Sequence, residues 1–287
     1  RVREKGEGEK GEPPEWEPGA YRVEARVVVV AGGPMGTVPL LLRSGFGDRL
    51  PALGRGFTCH PAFILAALHP EPITNDVGHP KSYYLDRAEE EGYVLETCMY
   101  FPFTTAKNLT GFGPHHREMM KGYPRMQQIL VLACDERVPE NRIEADRRGR
   151  PVVRYRFTQA VIGRLTAAAR RSAEIFFAAG AERVHSPLAD PPILGRRERY
   201  SLRERIRAEH FVPGKTTVSA AHLMGGCAMG RGPEDSVTDA RGRVHGVPWL
   251  RVADASLFPD SVEINPYLTV MALADRTAEG VLEELGG

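Results

Sequence analysis

The 287-residue sequence lacks the features that mark membrane-spanning, nucleic-acid-binding and disulfide-rich secreted proteins. No apolar run approaches the roughly 18 residues that a membrane span needs. The first twelve residues are charged or glycine-rich, which is not the pattern of a signal peptide. With 38 basic and 37 acidic residues, the net charge of +1 gives no bulk attraction for nucleic acid. The four cysteines form no C-x-x-C pair, so we expect free thiols and a cytoplasmic protein.

The remaining composition is that of a globular protein with many turns. Hydrophobic residues make up 42% and charged residues 26%, which excludes a mostly disordered chain. Glycine and proline number 30 and 23, which indicates many turns, as expected where the backbone approaches a ligand. The length allows one large domain or two of ordinary size.

A strand, a glycine turn and a helix follow one another near the amino end. The β-branched run Val27–Val30 predicts a strand that is buried on both faces, as in a parallel sheet, within a segment from Tyr21 to Ala31. Gly32, Gly33 and Gly36 follow, and then an apolar helical pattern that closes at Ser44-Gly45. Such a turn can hold a phosphate on its free N–H groups. A tight crossover without a ligand fits the same pattern equally well.

The middle of the chain predicts strands, a hairpin and one long helix. Strands are expected at Tyr93–Met99 and Gln127–Cys134, and a hairpin between residues 141 and 156. Apolar residues from Ile162 to Phe177 recur at helical spacing, with Gly180 as a cap. The charged stretch Arg196–Glu209 is either a surface helix or a lid.

The carboxyl-terminal third contains the residues most suited to chemistry. His222 begins the run His-Leu-Met-Gly-Gly-Cys-Ala-Met-Gly, and a lone histidine is more often structural than catalytic. His222, Cys227 and His245 do not have the spacing of a zinc site, so we predict no metal site. Cys227 has no orienting partner in the sequence pattern, so we do not expect it to be a nucleophile. A strand at Trp249–Ala253 precedes Asp254. Asn265-Pro266 begins the last helix, which runs to about Leu285, either as an ordinary N-cap or as a pair that stabilises an anion.

These motifs, in this order, resemble the C-terminal signature of the glucose–methanol–choline (GMC) flavoprotein oxidoreductases. The matching elements are His222-x-x-Gly-x-Cys-x-Met-Gly, the run Leu250–Pro259 and Asn265-Pro266-x-x-Thr269. Upstream, Val28–Gly45 resembles the family's strand, turn and helix beside the flavin. The stretch Leu53–Pro61 resembles its crossing into the substrate domain.

The resemblance implies an α/β fold in which an FAD-binding Rossmann-like region, incomplete here, is interleaved with an antiparallel-sheet substrate domain. Residues 1–58 and 235–287 would belong to the FAD-binding region and residues 59–234 to the substrate domain. His222 would be the general base in the oxidation of an alcohol, and Asn265 would orient the substrate oxygen. FAD would be contacted by Ala31, Gly32, Gly33, Asp254, Ala255, Pro266 and Thr269.

One departure from the family is large, because no glycine fingerprint follows a predicted strand and opens a helix near the amino end. We therefore expect either a truncated product or a split enzyme whose amino-terminal half is a separate chain, inactive on its own. The expected substrate is an alcohol, with a long-chain or sterol-like molecule favoured. Six aromatic residues would either line an apolar pocket or belong to the core: Tyr83, Tyr84, Tyr100, Phe101, Phe103 and Phe112. Glu263 is either a substrate contact or a solvated loop acid.

Overall fold

A computed structural model describes residues 18–73, 79, 81–189, 193–212 and 214–286. Its largest unit is a six-stranded antiparallel sheet. In spatial order the strands are Ile193–Gly195 (β10), Arg183–His185 (β9), Ala62–Leu68 (β3), Met126–Ala133 (β6), Tyr93–Cys98 (β5) and Tyr84–Arg87 (β4). The expected strands at Tyr93 and Gln127 are confirmed within one residue at each end.

Helices cover both faces of this sheet. The helix Gln159–Ala178 (α5) packs on one face, against Phe63, Leu65 and Ala67 of β3. The opposite face of β3, through Ala66 and Leu68, packs on Met119. The remaining helices of this unit are Ala88–Glu91 (α2), Pro102–Asn108 (α3), Pro114–Lys121 (α4) and Leu202–Arg205 (α6). The alternation of buried side chains along β3 therefore produces a three-layered unit.

The long helix α5 follows from local sequence signals. Thr158 caps it by accepting a hydrogen bond from the Val161 N–H at 3.1 Å. Its apolar residues are buried at three- and four-residue spacing, and Gly180 follows the helix end with φ +89°. The prediction of this helix is confirmed.

A second unit contains the two ends of the described chain. The strand Val28–Val30 (β1) pairs in parallel with Leu250–Val252 (β12). The short strands Thr58–Cys59 (β2) and Leu223–Met224 (β11) pair antiparallel, and Arg142–Ala145 (β7) forms the expected hairpin with Pro151–Arg154 (β8). The helices Gly33–Arg43 (α1) and Tyr267–Leu285 (α7) complete it. Its buried residues form a hydrophobic cluster separate from that around α5.

Three local predictions need correction. β1 covers only Val28–Val30, and Val28 and Val29 are 40% and 49% exposed, because among the described residues β1 pairs with β12 alone. Arg196–Glu209 is not one helix, since α6 lies between two 3₁₀ turns. It is not a free lid either, because Leu202 and Ile206 are buried in the cluster around α5.

The aromatic residues weighed as core lie mostly at the surface. All but Tyr100 of the six have more than half of their side-chain surface exposed, and Tyr100 is half-buried. The core interpretation is therefore wrong for Tyr83, Tyr84, Phe101, Phe103 and Phe112.

The described ranges contain neither a metal-binding cluster nor a membrane-spanning helix. No group of three or more His, Cys, Asp or Glu side chains in those ranges could hold a metal ion. Likewise, no helix in the described part of the chain is both long and apolar enough to cross a membrane. All four cysteines are free thiols, and Cys59, Cys98 and Cys227 are buried.

Gly163 offers a test of the α5 assignment. It lies exposed inside the helix, its φ is not positive, and an added Cβ would meet no atom within 4 Å. We therefore expect Gly163→Ala to raise the free energy of unfolding by about 0.5–1 kcal/mol. Urea denaturation measures this, and an unchanged or lowered value would contradict the assignment.

Candidate active site

The glycine turn and Asp254 meet at one edge of the second unit. Because β1 and β12 are parallel, their carboxyl ends lie side by side, and the Ala253 N–H donates to the Val30 carbonyl at 2.9 Å. Ala31 and Gly32 follow β1 and are exposed, while Asp254 follows β12 and is 7% exposed. Ligands in open α/β sheets bind beyond such strand ends.

The Asp254 carboxylate joins these two strand ends. Its Oδ2 accepts hydrogen bonds from the Gly33 N–H at 3.0 Å and from the Thr37 hydroxyl at 2.5 Å. Its Oδ1 accepts from the Ser256 N–H at 2.7 Å. The Gly32 N–H donates to the Thr37 Oγ1 at 3.0 Å. The N–H groups of Gly32 and Gly33 therefore already have partners, and neither is free for a phosphate.

The glycines after His222 are required by backbone packing. Three N–H groups of this segment, those of Gly225, Cys227 and Met229, donate to the carbonyls of residues 255–257 at 2.9–3.0 Å. Gly225 has φ +78°, and a Cβ there would lie 2.3 Å from the Gly56 carbonyl oxygen. The Gly-Gly turn therefore approaches another backbone, and it brings the His222 segment alongside Asp254-Ala255.

His222 lies opposite His60 across the β2–β11 pair. Leu223 pairs with Cys59, which places the two histidines at neighbouring opposed positions. Their Nδ1 atoms are 3.0 Å apart, and the two rings are perpendicular with centroids 5.1 Å apart. The Nε2 of His60 lies 2.6 Å from the Val262 carbonyl oxygen. His60 is 1% exposed, whereas His222 is partly exposed.

Both histidines are neutral at neutral pH. Burial is the main cause that lowers the pKa of His222 to about 4, and the neighbouring His60 lowers it further. Burial also lowers the pKa of His60, against the hydrogen bond to Val262. The buried carboxylate of Glu96 favours the charged form of both rings, but it is ion-paired with Lys81 at 3.0 Å. A neutral imidazole has a free lone pair and can accept a proton.

Asn265 precedes the last helix but does not cap it. The helix α7 begins at Tyr267 with Pro266 as its N-cap residue, so the predicted cap at Asn265 is one residue early. Asn265 is half-buried, and its side-chain amide makes no hydrogen bond to any residue in the described ranges. Thr269 is exposed and Pro266 is buried. The amide of Asn265 is therefore available to a ligand.

Hydrogen bonds join the segments of Gly33, Asp254-Ala255 and His222, whereas none in the described ranges joins Asn265, Pro266 or Thr269 to them. Asp254 contacts Gly33, and Ala255 contacts the His222 segment. His60 and Thr37 are the main additions. His60 is 162 residues from His222 in sequence, so only the resemblance of the stretch that ends at His60-Pro61 hinted at it.

The letters of the dinucleotide fingerprint occur once, at Gly6–Gly11, outside the described residues. They are spaced by glutamate and lysine and follow no apolar strand, so they do not indicate a dinucleotide site.

The strand-end region fits a large cofactor such as FAD in two respects. Small residues, Ala31 and Gly32, are exposed there, and a Cβ on Gly32 would crowd the Thr37 nitrogen at 3.2 Å. The first turns of α7 expose the apolar side chains of Leu268 and Met271. Exposed backbone allows a ligand to lie close, and exposed apolar side chains suit contact with a ring system.

Comparisons with known proteins place the chain in a family. Residues 138–274 match the family model of the GMC oxidoreductases. A GMC-type oxidoreductase of Mycobacterium tuberculosis is 30% identical over 266 residues, which cover 92% of this chain and 41% of that protein. A long-chain-alcohol oxidase of Arabidopsis thaliana is 28% identical over 276 residues, which cover 88% of this chain and 36% of the oxidase. The chain thus spans less than half the length of these relatives.

Solved structures show the same fold. A formate oxidase of Aspergillus oryzae, in a structure that concerns FAD modification, superposes with a TM-score of 0.66 at 14% identity over 90% of this chain and 54% of that chain. A pyridoxine 4-oxidase superposes with a TM-score of 0.62 at 18% identity over 88% of this chain and 50% of that one.

The α/β fold of this chain is shared with the formate oxidase and the pyridoxine 4-oxidase. The chain belongs to the GMC oxidoreductase family and corresponds to the C-terminal portion of its members.

The role of Asp254 as the tie between the strand ends can be tested by stability. Asp254→Ala leaves the Gly33 and Ser256 N–H groups without their acceptor, so we expect the free energy of unfolding to fall by about 2–4 kcal/mol. The exposed Asp48, whose replacement by alanine should change it by less than about 0.5 kcal/mol, is the matched control. Equal effects of the two substitutions would show that the hydrogen bonds of Asp254 contribute nothing to the free energy of unfolding.

Proposed function

We propose that this chain is the substrate-oxidising part of an FAD-dependent oxidoreductase that acts on CH–OH donors. The observation that carries the proposal is His222: a neutral, partly exposed imidazole, hydrogen-bonded to His60 and set beside the strand end that holds Asp254. A base that is neutral at pH 7 and reachable from solvent suits removal of a hydroxyl proton. The names of the relatives support the class of reaction.

His222 would accept the proton of the substrate hydroxyl. Asn265 would donate a side-chain N–H to the same oxygen, which carries increasing negative charge as its proton leaves. We propose that Ala31, Gly32, Gly33, Asp254, Ala255, Pro266 and Thr269 surround the cofactor. When bound there, FAD supplies the two-electron acceptor for the hydride of the alcohol carbon. Loss of one proton and one hydride converts the alcohol to a carbonyl compound.

A long-chain primary alcohol is the substrate class we favour. The supporting observations are the long-chain-alcohol oxidases among the relatives and the exposed aromatic side chains on and beside β4 and α3, at Tyr84, Phe101 and Phe103. We also keep the proposed division into residues 1–58, 59–234 and 235–287. The two hydrophobic clusters around α5 and around α1 support two units, but the cluster around α1 also includes Ile143 and Cys227 from the middle range.

A second candidate is a subunit that has no activity on its own and needs an amino-terminal FAD-binding partner. The exposed side chains of Val28 and Val29, on a strand paired along one edge in the described ranges, favour it. FAD uptake by this chain alone separates the candidates, because the second predicts no flavin absorbance until the partner is added.

His222→Ala tests the assignment of the base. In the FAD-loaded protein of natural length, we expect this variant to keep its flavin but to lose about 10²-fold or more in the rate of anaerobic flavin reduction by a primary alcohol. His115→Ala, at an exposed histidine of α4, is the control and should reduce at nearly the normal rate. A His222→Ala rate equal to the control would refute the assignment.

The pH dependence of flavin reduction tests the electrostatics. The neutral ring is the active form, and burial lowers its pKa to about 4, so activity is lost only as the pH falls towards that value. An unperturbed histidine would instead titrate near 6.5. We expect a rate that is constant from pH 8 to about pH 5. A midpoint near pH 6.5 would contradict the buried environment of His222.

A further inference from the structure

The hydrogen bonds of His60 define which of its nitrogens carries a proton. The Val262 carbonyl oxygen, 2.6 Å from Nε2, can only accept a hydrogen bond, so Nε2 of His60 must be protonated. His60 is 1% exposed, and burial disfavours its cationic form. A neutral His60 with a proton on Nε2 has a bare Nδ1, which can only accept.

The bare Nδ1 of His60 in turn determines which nitrogen of His222 carries a proton. Its Nδ1 lies 3.0 Å from the bare Nδ1 of His60, and two bare nitrogens at this distance would repel each other. The contact is favourable only if Nδ1 of His222 carries the proton and donates it. A neutral His222 then has its lone pair on Nε2, which has no hydrogen-bond partner among the described residues.

We propose that His60 is a positioning residue that holds His222 in its Nδ1–H tautomer and leaves Nε2 of His222 as the proton acceptor. The perpendicular ring arrangement and the bond to Val262 fix the orientation of both rings. When Nε2 of His222 takes up a proton, the bond from its Nδ1–H to His60 becomes charge-assisted and strengthens. The catalytic part of this inference rests on the proposed function, whereas the tautomer does not.

The first test needs neither flavin nor substrate. In the chain labelled with ¹⁵N-histidine, long-range ¹H–¹⁵N spectra at pH 7 distinguish Nδ1–H from Nε2–H rings. We expect His222 as Nδ1–H, His60 as Nε2–H, and a ¹⁵N–¹⁵N coupling across the hydrogen bond between the two Nδ1 atoms. A proton on Nε2 of a neutral His222 would overturn the proposal, whatever the enzyme activity proves to be.

Three substitutions separate positioning from packing. The oxygen of Asn in His60→Asn lies near the place of Nδ1 and can still accept from His222, so the Nδ1–H tautomer should persist. The amide of Gln in His60→Gln lies nearer Val262, and His60→Phe keeps only ring volume, so both should release His222 into a mixture of tautomers. His185→Gln, at a buried histidine bonded to the Thr110 carbonyl, is the control and should leave His222 unchanged.

Kinetics on the FAD-loaded protein of natural length complete the test. Because only one tautomer accepts on Nε2, His60→Gln and His60→Phe should lose about tenfold in kcat at unchanged KM, a part of the 10²–10⁴ that a general base contributes. His60→Asn should recover most of that loss. A kcat equal to that of the unsubstituted protein in all three variants would overturn the positioning role. A uniform loss that His60→Asn does not relieve, with folding intact, would do the same.

Discussion

The close approach of two backbones determines the geometry of the whole site. Gly225, Cys227 and Met229 donate to the carbonyls of residues 255–257, and Gly225 lies too near the Gly56 carbonyl for any side chain. This contact joins three parts of the chain that are far apart in sequence. It places β11, and therefore His222, beside the carboxyl end of β12, where Asp254 lies. Every proposed chemical role depends on that placement.

The site combines a carboxylate that joins two strand ends with a neutral histidine that we propose as the base. The Asp254 carboxylate is satisfied by N–H groups and a hydroxyl, and it occupies the positive end of α1. His222 and His60 are kept neutral by burial, and the ion pair of Glu96 with Lys81 leaves little net charge nearby. A carboxylate hydrogen-bonded directly to His222 would raise its pKa and favour the protonated ring. A neutral histidine orients the base without that effect.

Local signals in the sequence predict much of the fold, and non-local contacts explain what they miss. The capped, amphipathic α5, the β7–β8 hairpin and the strands β5 and β6 follow from periodicity and turn residues, whereas β3, β4, β9 and β10 were not predicted. The exposure of Val28 and Val29 does not, because a run of valines indicates a buried strand but not whether a neighbour covers it.

The residues of the site also divide into those that the sequence indicated and those that depend on non-local contacts. The resemblance to a family pointed to His222, Asp254 and Asn265, whereas the contact of His222 with His60 depends on the pairing of two-residue strands that carry no periodic signal. The many glycines of the sequence indicated a backbone that approaches a ligand, but the positive φ angles of Gly225 and Gly226 serve the approach of one backbone to another. Glycine patterns alone do not distinguish these two uses.

We propose that an alcohol carbon gives its hydrogen to the flavin at this site. The most direct test is anaerobic stopped-flow mixing of the FAD-loaded protein of natural length with a long-chain primary alcohol, compared with the same alcohol carrying deuterium on its α-carbon. We expect the flavin absorbance to bleach, and to bleach more slowly with the deuterated alcohol. A bound flavin that no alcohol of a chain-length series bleaches would contradict this proposal.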